Sequence, residues 1–219
     1  MGFSLSHRKT LDVAHVGISA DQLPPFGDGP VDLCRWFDAS TVDRPLELEI
    51  GCGKGTFLVQ QAALVPQVNY IALEYAAAFW RYAADRCRRR QLDNVRIVRV
   101  EADFFVRNYV PDACFQRVHI YFPDPWPKKR HHKRRLIQAP FLQQLHQVLI
   151  KRGLICIVTD HADYFQWICK HCAQVAGAFD QLPFVRPDSA GEEEWVGTNF
   201  ERKYRREGRP FHGLLLQKR

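Results

Sequence analysis

The sequence predicts an α/β fold: a mostly parallel sheet with helices on both faces. Three observations carry this. After Leu46, short apolar runs alternate with amphipathic stretches, the pattern of strands joined by crossover helices. Gly51-Cys52-Gly53-Lys54-Gly55 sits where the first apolar run gives way to a helical stretch. Glu74 closes the second run, 21 positions after Gly53, where parallel sheets place the acidic partner of a ribose.

The elements follow in order. Residues 1–44 lack strong periodicity, and Pro24-Pro25 with Gly27–Pro30 reads as an irregular lead-in. An N-terminal arm over 1–44 and one domain over 45–219 are therefore expected. Leu46–Ile50 is the first strand and Thr56–Val65 the helix behind the glycines. Tyr70–Glu74 is the second strand. Ala76–Arg90 is a helix with Phe79, Trp80, Ala83 and Cys87 on one face. Val95–Val100 and Arg117–Phe122 are the third and fourth strands. A helix runs from Arg134 to about Lys151, carrying Ile137, Phe141, Leu145, Val148 and Leu149, until Gly153 stops it. Leu154–Val158 is the fifth strand, Asp163–Cys172 a helix, and Gly213–Gln217 the last strand.

Composition narrows the partners. At 219 residues, with 46% apolar and 25% charged residues, the chain has the balance of one globular domain. No run approaches the roughly 18–20 apolar residues a bilayer span needs, and Met1–Thr10 is too polar for a signal peptide, so a cytoplasmic protein away from membranes is expected. A net charge of +7 and a pI near 9.1 favour a polyanionic partner. The positive charge is concentrated at Arg81–Arg90 and Lys128–Arg135. Seven cysteines, an odd number, fit free thiols in a reducing compartment. Cys169-Lys-His-Cys172 has metal-like spacing, but no second such pair follows, so no metal is assigned.

The glycine loop asks for a nucleotide-like ligand, and its charge selects which. Glu49, two residues before Gly51, would repel a pyrophosphate and instead suits a cationic ligand with an amino group, such as S-adenosyl-L-methionine. The GxGxG spacing also departs from the GxGxxG of a dinucleotide site, which disfavours a dehydrogenase. Glu74 is placed to receive ribose hydroxyls. Asp103 is placed for the adenine amino group, or alternatively caps a helix from Phe104 onward. Downstream, Tyr121-Phe-Pro-Asp-Pro-Trp126 fixes Asp124 between two prolines beside an aromatic face. It runs straight into Lys128–Arg135, where six of eight residues are Lys or Arg. A still carboxylate near a stacking surface suits a planar base, and the adjoining charge suits a phosphate backbone.

With these pieces in place, the chain resembles the class I methyltransferases and, more narrowly, the bacterial tRNA (guanine-N7)-methyltransferases that modify the variable-loop guanine. The matching residues are Leu48-Glu49-Ile50-Gly51-Cys52-Gly53, Glu74, Phe122-Pro-Asp-Pro-Trp-Pro-Lys128 with its basic extension, Thr159-Asp160, and Thr198-Asn199-Phe200-Glu201. The resemblance implies a Rossmann-like, mostly parallel seven-stranded sheet, S-adenosyl-L-methionine as cofactor, and methyl transfer to N7 of guanine 46 in tRNA. Carried across, Glu49, Gly51, Gly53, Glu74, Asp103 and Asp124 would hold the cofactor, with Asp124 also at the chemistry. Lys128, Asp160, Thr198, Asn199, Phe200 and Glu201 would bind the nucleoside. Arg130, His131, His132, Lys133, Arg134 and Arg135 would lie along the RNA. Phe200 stands where a tyrosine is common in the family, and Phe104-Phe105 follows Asp103 where small residues are common.

The chemistry sets what each group must do. Guanine N7 is a bare lone pair, so its attack on a sulfonium methyl requires no general base; the protein supplies alignment and electrostatics. Asp124 is expected to position the cofactor amine or guanine edge and steady the purine cation. Asp160 and Glu201 are expected to accept from guanine N1–H and the exocyclic amine. Lys128 reads either as a ribose or phosphate contact or as a solvated lysine. Trp36, Trp167 and Trp195 read as packing residues, and Glu192–Glu194 as a solvated loop that could gate the Thr198 segment. Two alternatives stay open: an amino-group nucleic-acid methyltransferase, and a silent RNA-binding module that keeps the fold. DNA is not the expected partner, and either a monomer or a homodimer is compatible.

Overall fold

The computed structural model describes residues 11–219. Among these residues eight strands make one sheet: β1 (Gly17–Ser19), β2 (Leu46–Ile50), β3 (Asn69–Leu73), β4 (Val95–Arg99), β5 (Phe115–Tyr121), β6 (Leu149–Thr159), β7 (Phe179–Leu182) and β8 (His212–Lys218). Their spatial order is β1-β4-β3-β2-β5-β6-β8-β7. The strands from β1 to β6 pair in parallel, whereas β8 runs antiparallel to both β6 and β7. Among the described residues six α-helices accompany them: α1 (Thr56–Leu64), α2 (Ala77–Arg89), α3 (Ala102–Tyr109), α4 (Ala139–Val148), α5 (Ala162–Ala173) and α6 (Asn199–Arg206).

Parallel pairing forces crossovers, and the crossovers cover both faces. On one face Leu46, Leu48 and Ile50 of β2 join Val106, Leu142, Leu145 and Ile168 of α3, α4 and α5 in the largest apolar core. On the other, Leu58, Val59, Ala83 and Cys87 of α1 and α2 pack over Tyr70, Ala72 and Ile97. β2 and β5 are neighbours, yet the chain leaves β2 for β3 and leaves β5 for β6, in opposite directions along the sheet and over opposite faces. That reversal opens a crevice beyond the strand tips, where ligands of such sheets bind.

The α/β class and parallel order agree with the sequence, with eight strands in place of seven. Residues 1–10 of the expected arm lie outside the described residues. Further along the arm, β1 adds a parallel strand to β4, while Leu33 and Phe37 are buried in the main core. Gly17 allows this approach: a Cβ there would sit 2.8 Å from the Val13 Cβ and 3.1 Å from the Trp80 ring. The helix expected from Arg134 begins only at Ala139, because Pro140 has no N–H to give and is tolerated only in the first turn. It ends at Val148, before Gly153, and β6 starts at once, with a register shift against β5 that takes up residues 150–153.

Candidate active site

The loop after β2 is built by backbone geometry that favours glycine. Gly51, Gly53 and Gly55 have φ of 77°, 54° and 64°, all left-handed. The Gly51 and Cys52 amides donate to Leu73 O at 2.9 and 3.1 Å, tying the loop to the end of β3. Glu74 completes the tie: Oε2 accepts from Gly53 N and Oε1 from Ala76 N, both at 2.8 Å. Each oxygen keeps a lone pair for a ligand.

Three carboxylates converge on this loop. Glu49 is 3% exposed, and its Oε2 has no hydrogen-bond partner. Burial, and then the charge of Glu74, pushes its carboxyl up to about 8. Burial also raises Glu74, against its two backbone bonds, and the charge of Asp124 adds to the rise. Two carboxyls that resist ionisation, Glu49 and Glu74, are poised for a positive ligand.

Two cavities open on the ring. One, of about 340 Å3, is lined by Glu74, Tyr75, Glu101, Asp124, Trp126 and Arg134 among others. The other, of about 300 Å3, is lined by Glu49, Lys54, Thr198, Asn199, Lys203 and Arg206 among others. Gly51, Gly53, Tyr121 and Phe200 line both, so the two meet there. The second cavity is lined by an acidic group and several cations, a lining that matches the ammonium and carboxylate of an α-amino acid.

Asp124 lies on a strained turn. Phe122 and Trp126, neither a glycine, bracket Pro123-Asp-Pro125 with φ of 53° and 44°. Such conformations cost about 1–3 kcal/mol each and persist only when their surroundings hold them. Phe122 N donates to Val158 O at 2.7 Å on one side. On the other, the Arg134 guanidinium lies 4.9 Å from the Trp126 ring centre, and His131 meets the same ring edge-on. Asp124 itself is exposed, facing the cavity.

The structure separates the residues singled out from the sequence. Glu49, Gly51, Gly53, Glu74 and Asp124 come together around the cavities, as do Thr198, Asn199 and Phe200. Asp103 does not: it lies in the first turn of α3 and pairs with Arg107 at 2.8 Å. Glu101 stands at the tip of β4 instead, lining the cavity and capping α3 by accepting from Asp103 N and Phe104 N. Both were acidic residues after an apolar run, and the two-residue difference in register was not legible.

Glu201 is buried completely and its oxygens are engaged. Oε1 accepts from Trp195 N at 2.6 Å and Arg205 at 2.8 Å, while Oε2 accepts from Val196 N and Gly197 N at 2.8 and 2.9 Å. It folds the loop before α6 rather than facing a base. Thr198 caps α6 by accepting from Glu201 N. Asp160 pairs with Arg209 at 2.7 Å, and Glu194 with Arg202 at 2.6 Å.

In the basic block, Lys128, Lys129, Arg130, Lys133 and Arg134 are exposed and His131 is half-buried. His132 packs edge-on against Trp167. Arg135 departs from the expected RNA-facing role: it is 1% exposed and points inward. A buried chain, Glu47 to His119 to Tyr121, was also missed, since nothing in an alternating strand shows which polar side chains turn inward. All seven cysteines are free, and among the described residues no cluster of His, Cys, Asp and Glu could hold a metal ion.

Solved structures support the fold. The aminoglycoside resistance methyltransferase NpmB1 superposes with a TM-score of 0.54 at 14% identity, over 80% of this chain and 88% of that one. A SAM-dependent methyltransferase from Aquifex aeolicus gives 0.53 at 15% identity, over 79% and 81%. A family model described as "Putative methyltransferase" matches residues 43–214. The tRNA (guanine-N(7)-)-methyltransferase of Halorhodospira halophila is 35% identical over 87% of this chain and 81% of its own length. That of Syntrophotalea carbinolica is 36% identical over 77% and 72%. With the acidic ring, the glycine loop and the Pro-Asp-Pro turn in one crevice, the chain belongs to the tRNA (guanine-N(7)-)-methyltransferase family.

Proposed function

We propose that this protein transfers the methyl group of S-adenosyl-L-methionine to N7 of guanine 46, in the variable loop of tRNA. The observation that carries the reading is the unpartnered, buried oxygen of Glu49, set in a ring with Glu74 and Asp124 beside an exposed basic ridge. A buried carboxylate without a partner is costly, and a cationic ligand removes that cost.

The residues fit the cofactor. Glu49 would meet its ammonium, Lys54 and its neighbours its carboxylate, and Glu74 its ribose hydroxyls, with Glu101 taking the place expected of Asp103. When bound, the cofactor supplies an electrophilic methyl group on a sulfonium. Everything else falls to the chain. Tyr121 and Phe200, shared by both cavities, exclude water from the point of transfer. Asp124 aligns the purine edge and stabilises the positive charge that develops on it. Because N7 carries no proton, no residue need act as a base.

Lys128, Asp160, Thr198, Asn199 and Phe200 are assigned to the target nucleoside, with Glu201 fixing the loop that presents them. Arg130, His131, Lys133 and Arg134 form the ridge for tRNA phosphates, which are recognised by shape more than sequence. His132 belongs at its inner margin. A cytoplasmic location goes with a tRNA substrate.

The test is direct. Purified protein, labelled S-adenosyl-L-methionine and an unmodified tRNA transcript are incubated, and N7-methylguanine is located by chain cleavage at that base. Cleavage at 46, absent when guanine 46 is replaced by adenine, is the expected result. Methyl groups on an exocyclic amine, or none in tRNA, would overturn the reading.

A further inference from the structure

We propose that Arg135 is a positioning residue for Asp124, clamped by α5, rather than a contact for RNA phosphate. This rests on the methyl-transfer reading and deepens it. Arg135 ends a run of basic residues, Lys128–Arg135, yet it is the one that turns into the protein. Its Nε donates to Pro125 O at 2.8 Å. Its guanidinium donates to Asp163 at the start of α5. It also lies over two aromatic rings of that helix, 5.0 Å from the centre of Tyr164 and 5.2 Å from that of Trp167. Trp167 is itself fixed, donating through Nε1 to Ile137 O at 3.0 Å.

The bond to Pro125 O explains why this arrangement bears on chemistry. That carbonyl belongs to the peptide joining Pro125 to Trp126, the residue held at a left-handed φ of 44°. Fixing the carbonyl fixes the plane of that peptide, and with it the exit of the turn that carries Asp124. A planar guanidinium can donate to the carbonyl, pair with a carboxylate and stack between rings at once, which an ammonium cannot. Asp163 responds as expected, its carboxyl held below the usual range by the hydrogen bond from Arg135. The adjoining residues, Lys133 and Arg134, remain outside. The basic block therefore has two sides, one for RNA and one that holds the turn. RNA docking on the outer side engages a segment already latched to the turn that carries Asp124.

The experiment compares Arg135→Lys and Asp163→Asn with Lys133→Ala and wild type. It measures single-turnover methylation at saturating tRNA and cofactor, tRNA affinity, and the slope of affinity against salt. Thermal melts confirm that each variant is folded; Asp163 is exposed, so Asp163→Asn keeps the test valid if Arg135→Lys unfolds. Arg135→Lys is expected to lower the saturated rate about tenfold or more. Its tRNA affinity and salt slope should stay within about twofold of wild type. Lys133→Ala should do the reverse, weakening affinity and reducing the salt slope by about one. If Arg135→Lys behaves like Lys133→Ala, or if both clamp variants methylate at the wild-type rate, the proposal is overturned. Failure of wild type to methylate guanine N7 would instead sink the parent reading, so the two outcomes stay distinct.

Discussion

Glu47 Oε2 lies 2.9 Å from His119 Nε2 in the middle of the sheet, and the other ring nitrogen of His119 lies 2.7 Å from the Tyr121 hydroxyl. Gln116 donates to the second Glu47 oxygen at 2.8 Å. Burial raises the Glu47 carboxyl, but His119, Arg117 and Gln116 together hold it below its ordinary 4.5. A polar chain thus runs through an apolar layer and ends at the wall shared by the two cavities.

Breaking that chain is expected to be expensive. His119→Phe leaves Glu47 buried without its main partner and should cost about 3–5 kcal/mol. Urea unfolding at pH 7 measures it, and a loss under about 1 kcal/mol would show that the pair contributes little. Because the folded value is depressed, this contribution is present above pH 4.5 and is lost as the pH falls below it.

Glu49 has the opposite sign. Its folded value, about 8, exceeds the ordinary 4.5, so the free protein loses stability as pH rises between those values. Glu49→Gln should remove that slope. Binding of a cation should expel the proton, so calorimetry at pH 7 in buffers of different ionisation enthalpy should register proton release with S-adenosylhomocysteine. Glu49→Gln should abolish the release, and a buffer-independent heat in wild type would contradict the assignment.

Asp124 distinguishes alignment from proton abstraction. Asp124→Ala should lower single-turnover methylation about 100-fold or more, the scale of losing one well-placed electrostatic group. Asp124→Asn keeps shape and one acceptor, so it should retain a measurable part of the rate. Equal inactivity of both variants would favour a base, and wild-type rates in both would remove Asp124 from the chemistry.

Glu201→Ala should release the loop before α6. Three backbone N–H groups lose their acceptor, at about 1–3 kcal/mol for each that stays buried. Hydrogen exchange at Val196 and Gly197 should accelerate sharply while the strands stay protected. Unchanged exchange at these two amides would show that the loop is held by other contacts.

Much of this was legible in the sequence, for reasons that also mark the limits. Tyr70–Glu74 and Val95–Val100 read as strands because both faces of a parallel sheet are covered, leaving largely apolar runs. The glycine loop and the Pro-Asp-Pro turn were visible because only particular residues satisfy such backbones. β1 and β7 were missed: three and four residues at the sheet edges carry too little pattern. Arg135 and Glu201 were misread for a common reason. Charge in a sequence says what a side chain can bind, not which way it turns, and both turn inward to hold backbone.

The position of β8 has a consequence for how the molecule is made. It follows every other strand of this sheet in the sequence, yet it fills an interior slot between β6 and β7. Until it arrives, the apolar flank of Ile155–Val158 stays open on a nascent chain whose other parallel strands have already been synthesised. Such an unzipped margin invites pairing with a neighbouring polypeptide. Chaperone capture during translation, or high expression at elevated temperature, should therefore affect this protein most in the interval before Leu214–Leu216 emerge.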